Sequence, residues 1–219
     1  MTGKSLDLEI LGENTERAKE NREYFAAEGL LVVNVCGGPG SGKTTLISAL
    51  CSLLKGSVAV GAVEGDIASD IDTGFLLAQN VPAVQINTMG GCHLTAAQVY
   101  RGVRELGIKN GIVFIENIGN LVCPASFDLG EACRIVTAGV PEGADKPYKY
   151  ITMYESAHIA VLTKCDLAEV FGFDREYFRR GVRSVMPRFE LYETSKDPAS
   201  AESLAKRLLE LKRQCSAKE

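Results

Sequence analysis

The sequence predicts an α/β fold: a mostly parallel sheet with helices on both faces and a short N-terminal helical extension. Three observations predict it. Short apolar, β-branched runs alternate with segments of helical periodicity. The runs are apolar at successive positions, as strands buried on both faces of a parallel sheet require. A glycine-rich phosphate loop lies between the first run and the helix after it.

Taken in order, Asn14 to Glu28 is polar, charged and rich in helix formers, and Gly29 stands at the stop position. Residues 1–29 are therefore read as the extension and 30–219 as one P-loop domain, since no linker composition divides the chain. Leu30 to Cys36 is the first strand, and Lys43 to Leu54 is a helix with Leu46, Leu50 and Leu53/Leu54 on one face. Further strands are expected at Ser57–Val63, Ala83–Asn87, Gly111–Glu116, Arg134–Thr137, Ile159–Thr163 and Phe189–Glu193. Helical patterns cover Leu94–Leu106, Asp174–Met186 and Ala199–Arg213.

Composition narrows the partners. The 219 residues carry 24 Lys and Arg against 28 Asp and Glu, a net charge of −4 that excludes a broadly basic, nucleic-acid-gripping surface. No apolar run reaches the roughly 18 residues of a membrane span, and Met1 to Asn14 lacks the regions of a signal peptide. Seven cysteines at irregular spacing cannot all pair, which fits reduced thiols. The expectation is a cytoplasmic protein with neither a nucleic-acid nor a membrane partner.

Gly37-Gly38-Pro39-Gly40-Ser41-Gly42-Lys43-Thr44 matches G-x-x-x-x-G-K-[ST] between a strand and a helix. Small residues let successive backbone N–H groups turn inward as an anion cradle, and the helix N-terminus adds partial positive charge. Lys43 is placed to reach the outer phosphates, Thr44 to ligand Mg²⁺ through its hydroxyl, and Thr45 to follow in the same cradle. The base is read from Thr163-Lys164-Cys165-Asp166, which resembles the N/T-K-x-D element of GTPases. There the Asp166 carboxylate accepts from the two guanine donors, which adenine lacks, and the Lys164 stem covers the ring. Ser195 and Lys196 sit where a second base-contacting loop is expected.

Two acidic segments complete the phosphate end. Val63-Glu64-Gly65-Asp66 supplies Asp66 as a Mg²⁺ ligand or as a residue behind one. Ile115-Glu116-Asn117-Ile118-Gly119 resembles a D-x-x-G switch with Glu116 in place of Asp, which makes Glu116 a catalytic and Mg²⁺ candidate and aims Gly119 N–H at the γ-phosphate. Asp70 and Asp72 lie in the first-switch loop. Either Asp70 or Asp72 is placed to orient the attacking water, with Asp72 taken as the catalytic candidate, and a solvated acidic loop is the alternative. Partition-type ATPases of similar topology carry a second lysine in the loop, where this chain has Gly38. A small-molecule kinase would need an arginine-bearing lid, and an exposed helix face accounts for Arg179, Arg180 and Arg183.

Cys92 and His93 precede the helix starting near Leu94, and Cys123 follows Gly119. A thiol at a helix N-terminus is expected to have a depressed pKa. Two thiolates and an imidazole suit Zn²⁺ or Ni²⁺. On spacing alone, packed thiols and a structural histidine are the alternative.

The strings Gly91-Cys92-His93-Leu94, Glu116-Asn117-Ile118-Gly119-Asn120-Leu121-Val122-Cys123-Pro124 and Phe127-Asp128-Leu129-Gly130-Glu131, with the two nucleotide motifs, resemble the HypB family from about Leu30 to Ser195. These are accessory GTPases for nickel insertion into hydrogenases, and sometimes urease, within the SIMIBI class of P-loop NTPases. The resemblance implies a GTP/GDP- and metal-dependent homodimer with Ni²⁺ or Zn²⁺ held by Cys92, His93 and Cys123 at the subunit interface. It implies hydrogenase maturation proteins and a large-subunit precursor as partners. Slow hydrolysis agrees with the lack of a catalytic Gln or cis arginine finger beside the switches. A nucleotide-switched scaffold with structural zinc is the second reading. Gly143-Ala144-Asp145-Lys146-Pro147-Tyr148-Lys149 resembles the family's E-G-x-D-K-P-x-K stretch, which implies a lysine reaching the partner's nucleotide, Lys149 before Lys146. Residues 1 to 35 hold neither Cys nor His, so no nickel-storing site is expected there. Phe75 stands where the family commonly has an arginine, and Thr95 replaces the Asp of C-H-L-D-A. Cys36 and Cys51 are expected in the core, Cys133 and Cys165 at strand ends, Cys215 in a polar tail, and His158 in a structural role.

Overall fold

The computed structural model describes residues 4–66 and 71–216, with side chains from 11 to 215. Seven strands form one sheet: β1 (Leu31–Gly37), β2 (Ala59–Asp66), β3 (Ala83–Asn87), β4 (Gly111–Glu116), β5 (Cys133–Gly139), β6 (Ile159–Thr163) and β7 (Leu191–Glu193). Their order is β3-β2-β4-β1-β5-β6-β7, and every strand pair is parallel. The helices are α1 (Lys4–Ala27), α2 (Lys43–Leu54), α3 (Ile71–Ala78), α4 (Ala96–Leu106), α5 (Lys146–Lys149), α6 (Ile151–Ser156), α7 (Arg175–Val185) and α8 (Glu202–Ser216). Among the described residues no helix is long and apolar enough to cross a membrane.

The period of two in β1 sorts its side chains to opposite faces. Leu31, Val33 and Val35 join Leu46, Ile47 and Leu50 of α2 and Leu204 and Leu208 of α8 on one face. On the other, Val32 meets Phe25 of α1 and Val99 and Val103 of α4, while Val136 and Leu162 pack under Tyr154 of α6 and Phe178 of α7. Both faces are covered, which explains why the strand runs are apolar throughout.

α1 is longer than its sequence signal and docks by buried polar contacts. Asn21 is fully buried and donates to Ala96 O and Leu129 O, both at 2.8 Å. Asn14 donates to Asp128 O at 2.7 Å and accepts from Ala96 N at 2.8 Å. Arg22 pairs with Asp128 and holds that carboxyl below the usual carboxylate range.

Sequence order reverses on either side of β1, so the crevice beyond its carboxyl end is the topological switch point where α/β sheets bind ligands. The turns after β1, β2, β4 and β6 all open there.

Two expectations need correction. The segment carrying Asp72 is helix α3, not a loop; eight residues with Gly74 among them show too little periodicity to read. Asp70 lies outside the described residues. In the Gly143–Lys149 stretch, Lys146–Lys149 forms a helical turn after Asp145. Cys215 is exposed in the last turn of α8 rather than in a tail.

Candidate nucleotide and metal site

The phosphate loop closes on itself. Gly42 caps α2 in the left-handed region, at φ 86°, which favours glycine. Thr163 Oγ1 donates to Ser41 O at 2.6 Å, and Ser41 Oγ lies 2.8 Å from Thr137 Oγ1. These contacts tie the loop to the ends of β5 and β6. Lys43 Nζ donates to Gly38 O at 3.3 Å, and Lys164 Nζ donates to Gly40 O at 2.7 Å. Two lysines therefore arch over the cradle from opposite sides.

Beside the loop lies an open pocket of about 510 Å³, lined by Gly40, Lys43, Thr44, Asp66, Asp72 and Glu116 among others. Gly42, Thr45 and Lys164 link it to a narrower pocket of about 220 Å³ that holds Asp166, Thr194, Ser195 and Lys196. The first is polar and cationic at one rim; the second has an exposed carboxylate and the apolar wall of Leu46 and Ala49. Together they have the shape and chemistry of a nucleotide, phosphates at one end and a purine at the other. Of the residues expected from the sequence, Thr163, Asp166, Ser195 and Lys196 line the narrower pocket, Pro39, Gly40, Lys43 and Thr44 the open one, Gly42, Thr45 and Lys164 both, and Gly37, Gly38 and Ser41 neither.

One acidic residue of this site is not singled out in the sequence. Glu64 and Glu116 are register partners on β2 and β4, both buried. Burial and the neighbouring Glu116 push the Glu64 carboxyl well above the usual carboxylate range. Glu116 is also raised by burial, against the opposing pull of Lys43. Thr44 Oγ1 donates to Glu116 Oε1 at 3.0 Å, while Glu116 Oε2 and Glu64 Oε1 are buried without a hydrogen-bond partner. Hard oxygen donors with an orphaned carboxylate oxygen, beside a phosphate cradle, fit a magnesium ion. The available signal was the string Val63-Glu64-Gly65-Asp66, but only the β2–β4 register shows that Glu64 turns inward.

The ligand atoms of Cys92, His93 and Cys123 all lie within 4.8 Å of one another. Cys92 is exposed and Cys123 half-buried at the start of a 3₁₀ turn, Cys123–Ser126. The His93 ring stacks on Phe127, centroids 3.6 Å apart, and burial lowers its pKa, which keeps the imidazole neutral and able to ligate. The expected depression of the Cys92 pKa is not found. Its thiol is raised, first by the hydrogen bond with Cys123, because α4 begins only at Ala96 and its dipole does not reach Cys92. A soft or borderline divalent cation would displace that shared proton.

The two sites are joined by the segment after β4. Asn117 Oδ1 accepts from Leu94 N at 3.3 Å and from Ile118 N at 3.0 Å. Asn120 Nδ2 donates to Cys92 O at 3.3 Å, and Asn120 bridges to Gly37 of the phosphate loop. A Cβ on Gly119 would stand 3.1 Å from Pro39 Cα, a tight contact where this segment crosses the loop.

Residues 31–192 match the nucleotide-binding domain described as CobW/HypB/UreG. The chain belongs to this family. Within it the similarity is to HypB, the SIMIBI-class P-loop proteins named hydrogenase maturation factors. HypB from Azotobacter chroococcum is 42% identical over 97% of this chain and 70% of its own length. HypB from Escherichia coli is 43% identical over 85% of this chain, which spans 64% of that relative. The crystal structure of HypB from Helicobacter pylori in complex with nickel superposes with a TM-score of 0.87 at 36% identity, covering 92% of this chain and 96% of that one.

Thr95 stands where the HypB pattern has Asp. It caps α4, its hydroxyl accepting from Gln98 N at 3.3 Å while Thr95 N donates to Gln98 Oε1 at 2.9 Å. Phe75, in place of the HypB arginine, is half-exposed at the rim of the phosphate pocket and brings no charge there. Lys149 lines neither pocket; it is exposed and pairs with Asp145, and Lys146 lies over the Tyr150 ring. His158 Nδ1 accepts from the Arg134 backbone N–H at 2.9 Å and is not among the three clustered ligands.

Proposed function

We propose that this chain is a GTP-binding, GTP-hydrolysing metallochaperone that gates nickel delivery during [NiFe]-hydrogenase maturation. It works in the cytoplasm as a nucleotide- and metal-dependent homodimer, with other maturation proteins and a hydrogenase large-subunit precursor as partners. The observation that carries this reading is the Asn117–Asn120 segment, which touches the phosphate loop at Gly37 and the ligand cluster at Cys92 and Leu94.

Residues 37–45 cradle the phosphates, Lys43 neutralises the outer ones, and Asp166, with Thr163, Lys164, Ser195 and Lys196, selects guanine. Thr44, Asp66 and Glu116 would hold Mg²⁺, which supplies charge neutralisation at the transferred phosphoryl group. Asp72, in the first turn of α3 at the pocket rim, orients the attacking water. Gly119 N–H responds to the γ-phosphate; because it shares a segment with Asn120 and Cys123, its movement reaches the ligands.

Nickel and nucleotide affinities must then be linked reciprocally. Titration of nickel against the GDP-bound and GTP-analogue-bound protein is expected to give affinities differing by about 5- to 150-fold, the usual span of such couplings. Equal affinities would refute gating. Cys92, His93 and Cys123 leave coordination unfinished; a water, a fourth residue or the second subunit completes it, with the metal placed at the dimer interface.

Lys149 reaches the partner's nucleotide in this dimer. Lys149→Ala is expected to slow GTP turnover at dimerising concentrations and to leave single-subunit GTP affinity unchanged. Unaltered turnover would remove the residue from the site. The second reading, a scaffold with structural zinc, is favoured by the same thiol–imidazole donor set, which suits zinc equally. A single GTP turnover of the nickel-loaded dimer with a competing chelator separates the two: metal release supports delivery, and retention supports the scaffold.

A further inference from the structure

Beneath the ligand cluster lies a buried ion pair that the chemistry above does not use. The Glu131 and Arg134 side chains are 4% and 7% exposed, with Arg134 Nη2 2.6 Å from Glu131 Oε1 and Nε donating to the same oxygen at 2.8 Å. Desolvation offsets most of the Coulomb gain of such a pair, so net stability is a poor account of it. Its hydrogen bonds point elsewhere. Arg134 Nη1 donates to Ala125 O at 3.2 Å and Ser156 Oγ at 3.1 Å, and Nη2 donates to Phe127 O at 2.9 Å. Ala125 lies in the turn that Cys123 opens, and Phe127 carries the ring stacked on His93.

The carboxylate extends the network to the other side of the cluster. Glu131 Oε1 accepts from Asn34 Nδ2 at 3.0 Å, and Asn34 Oδ1 accepts from Asn117 Nδ2 at 3.2 Å. Asn117 in turn holds Leu94 N, next to His93. Four of the five guanidinium N–H groups of Arg134 donate hydrogen bonds while Nη2 also lies against Glu131 Oε1, and the planar fork fixes the directions in which its acceptors sit.

We infer that Arg134 is a positioning residue of the metal site: clamped by Glu131, it sets the turn that carries Cys123 and the Phe127 ring that orients His93 toward a thiophilic divalent cation. This rests on the reading of Cys92, His93 and Cys123 as ligands. Groups behind the ligands typically govern 10- to 100-fold in metal affinity by fixing ligand orientation.

The test uses the full chain and cobalt(II) as the probe, read by its thiolate charge-transfer and d–d absorption, with nickel titrated in parallel. Arg134→Lys keeps a cation facing Glu131 but replaces the fork with one ammonium. The expected result is a folded protein whose cobalt and nickel affinities fall by about 10- to 100-fold, with altered d–d bands and unchanged guanine-nucleotide affinity in the absence of metal. A folded Arg134→Lys with wild-type metal affinity and spectrum overturns the inference. If that variant does not fold, Phe127→Leu decides, since it keeps the apolar bulk and the carbonyl but removes the platform. An affinity loss there upholds the inference, and wild-type affinity overturns it. Wild-type protein that takes up neither metal overturns the inference and the ligand reading together. Wild-type protein with equal metal affinity under GDP and GTP analogue defeats gating alone, while the Arg134→Lys loss still stands.

Discussion

Cys123→Ala, under reducing conditions, is expected to lower nickel affinity by more than the roughly 100-fold that residues behind the ligands can govern, and to abolish the nickel dependence of dimerisation. Among the described residues the cluster offers three ligand atoms within 4.8 Å of one another, so loss of one thiolate leaves no described neighbouring donor of the same kind to replace it. The thiol also raises the Cys92 pKa through their shared hydrogen bond. Its removal should therefore make Cys92 more readily ionised while the metal is lost, a combination that steric disruption would not produce. The checks are isothermal titration with nickel and thiol alkylation of Cys92 as a function of pH. Guanine-nucleotide affinity measured without metal should be unchanged, because neither nucleotide pocket includes Cys123. Retained nickel affinity would remove Cys123 from the ligand set.

Asp166→Asn should have the second large effect. The carboxylate presents two acceptors to the two guanine donors; an amide presents one acceptor and one donor. Hydrogen bonds to a charged group contribute about 1.5–3 kcal/mol each, so loss of one, with the other no longer made to a charge, corresponds to a fall of roughly 10- to 100-fold or more in GTP affinity. Xanthine carries a carbonyl where guanine has its amino group and so matches the amide. XTP binding should rise as GTP binding falls, measured by competition against a fluorescent nucleotide. Asp166 is exposed on a short 3₁₀ turn, so the substitution should cost little stability, and equal GTP affinity in the variant would place the base elsewhere.

Much of this architecture was legible because its causes are local. A parallel strand buried on both faces must be apolar, and α2, β3, β4 and β6 begin and end where their apolar runs do. The phosphate loop is legible because few residues can turn successive N–H groups inward and leave the chain in a left-handed turn at Gly42. Weak periodicity hid α3, α5 and α6, which are short and take their stability from packing rather than propensity. The string Cys92-His93 with Cys123 named the donors but not their surroundings, and the expected helix dipole at Cys92 failed because the cap of α4 falls at Thr95.

By itself the sequence determined the strand–loop–helix frame and the phosphate-loop motif, and it named the candidate guanine-reading element and the candidate metal donors, since each is carried by a short local string. Only the tertiary structure decided which distant groups meet. The β2–β4 register brings Glu64 against Glu116, and the placement of β1 between β4 and β5 lets Asn34 join Asn117 to Glu131. The fold also seats Phe127 on His93 and Arg134 under both. These pairings depend on strand order, register and burial, which the whole chain sets together and no single segment encodes.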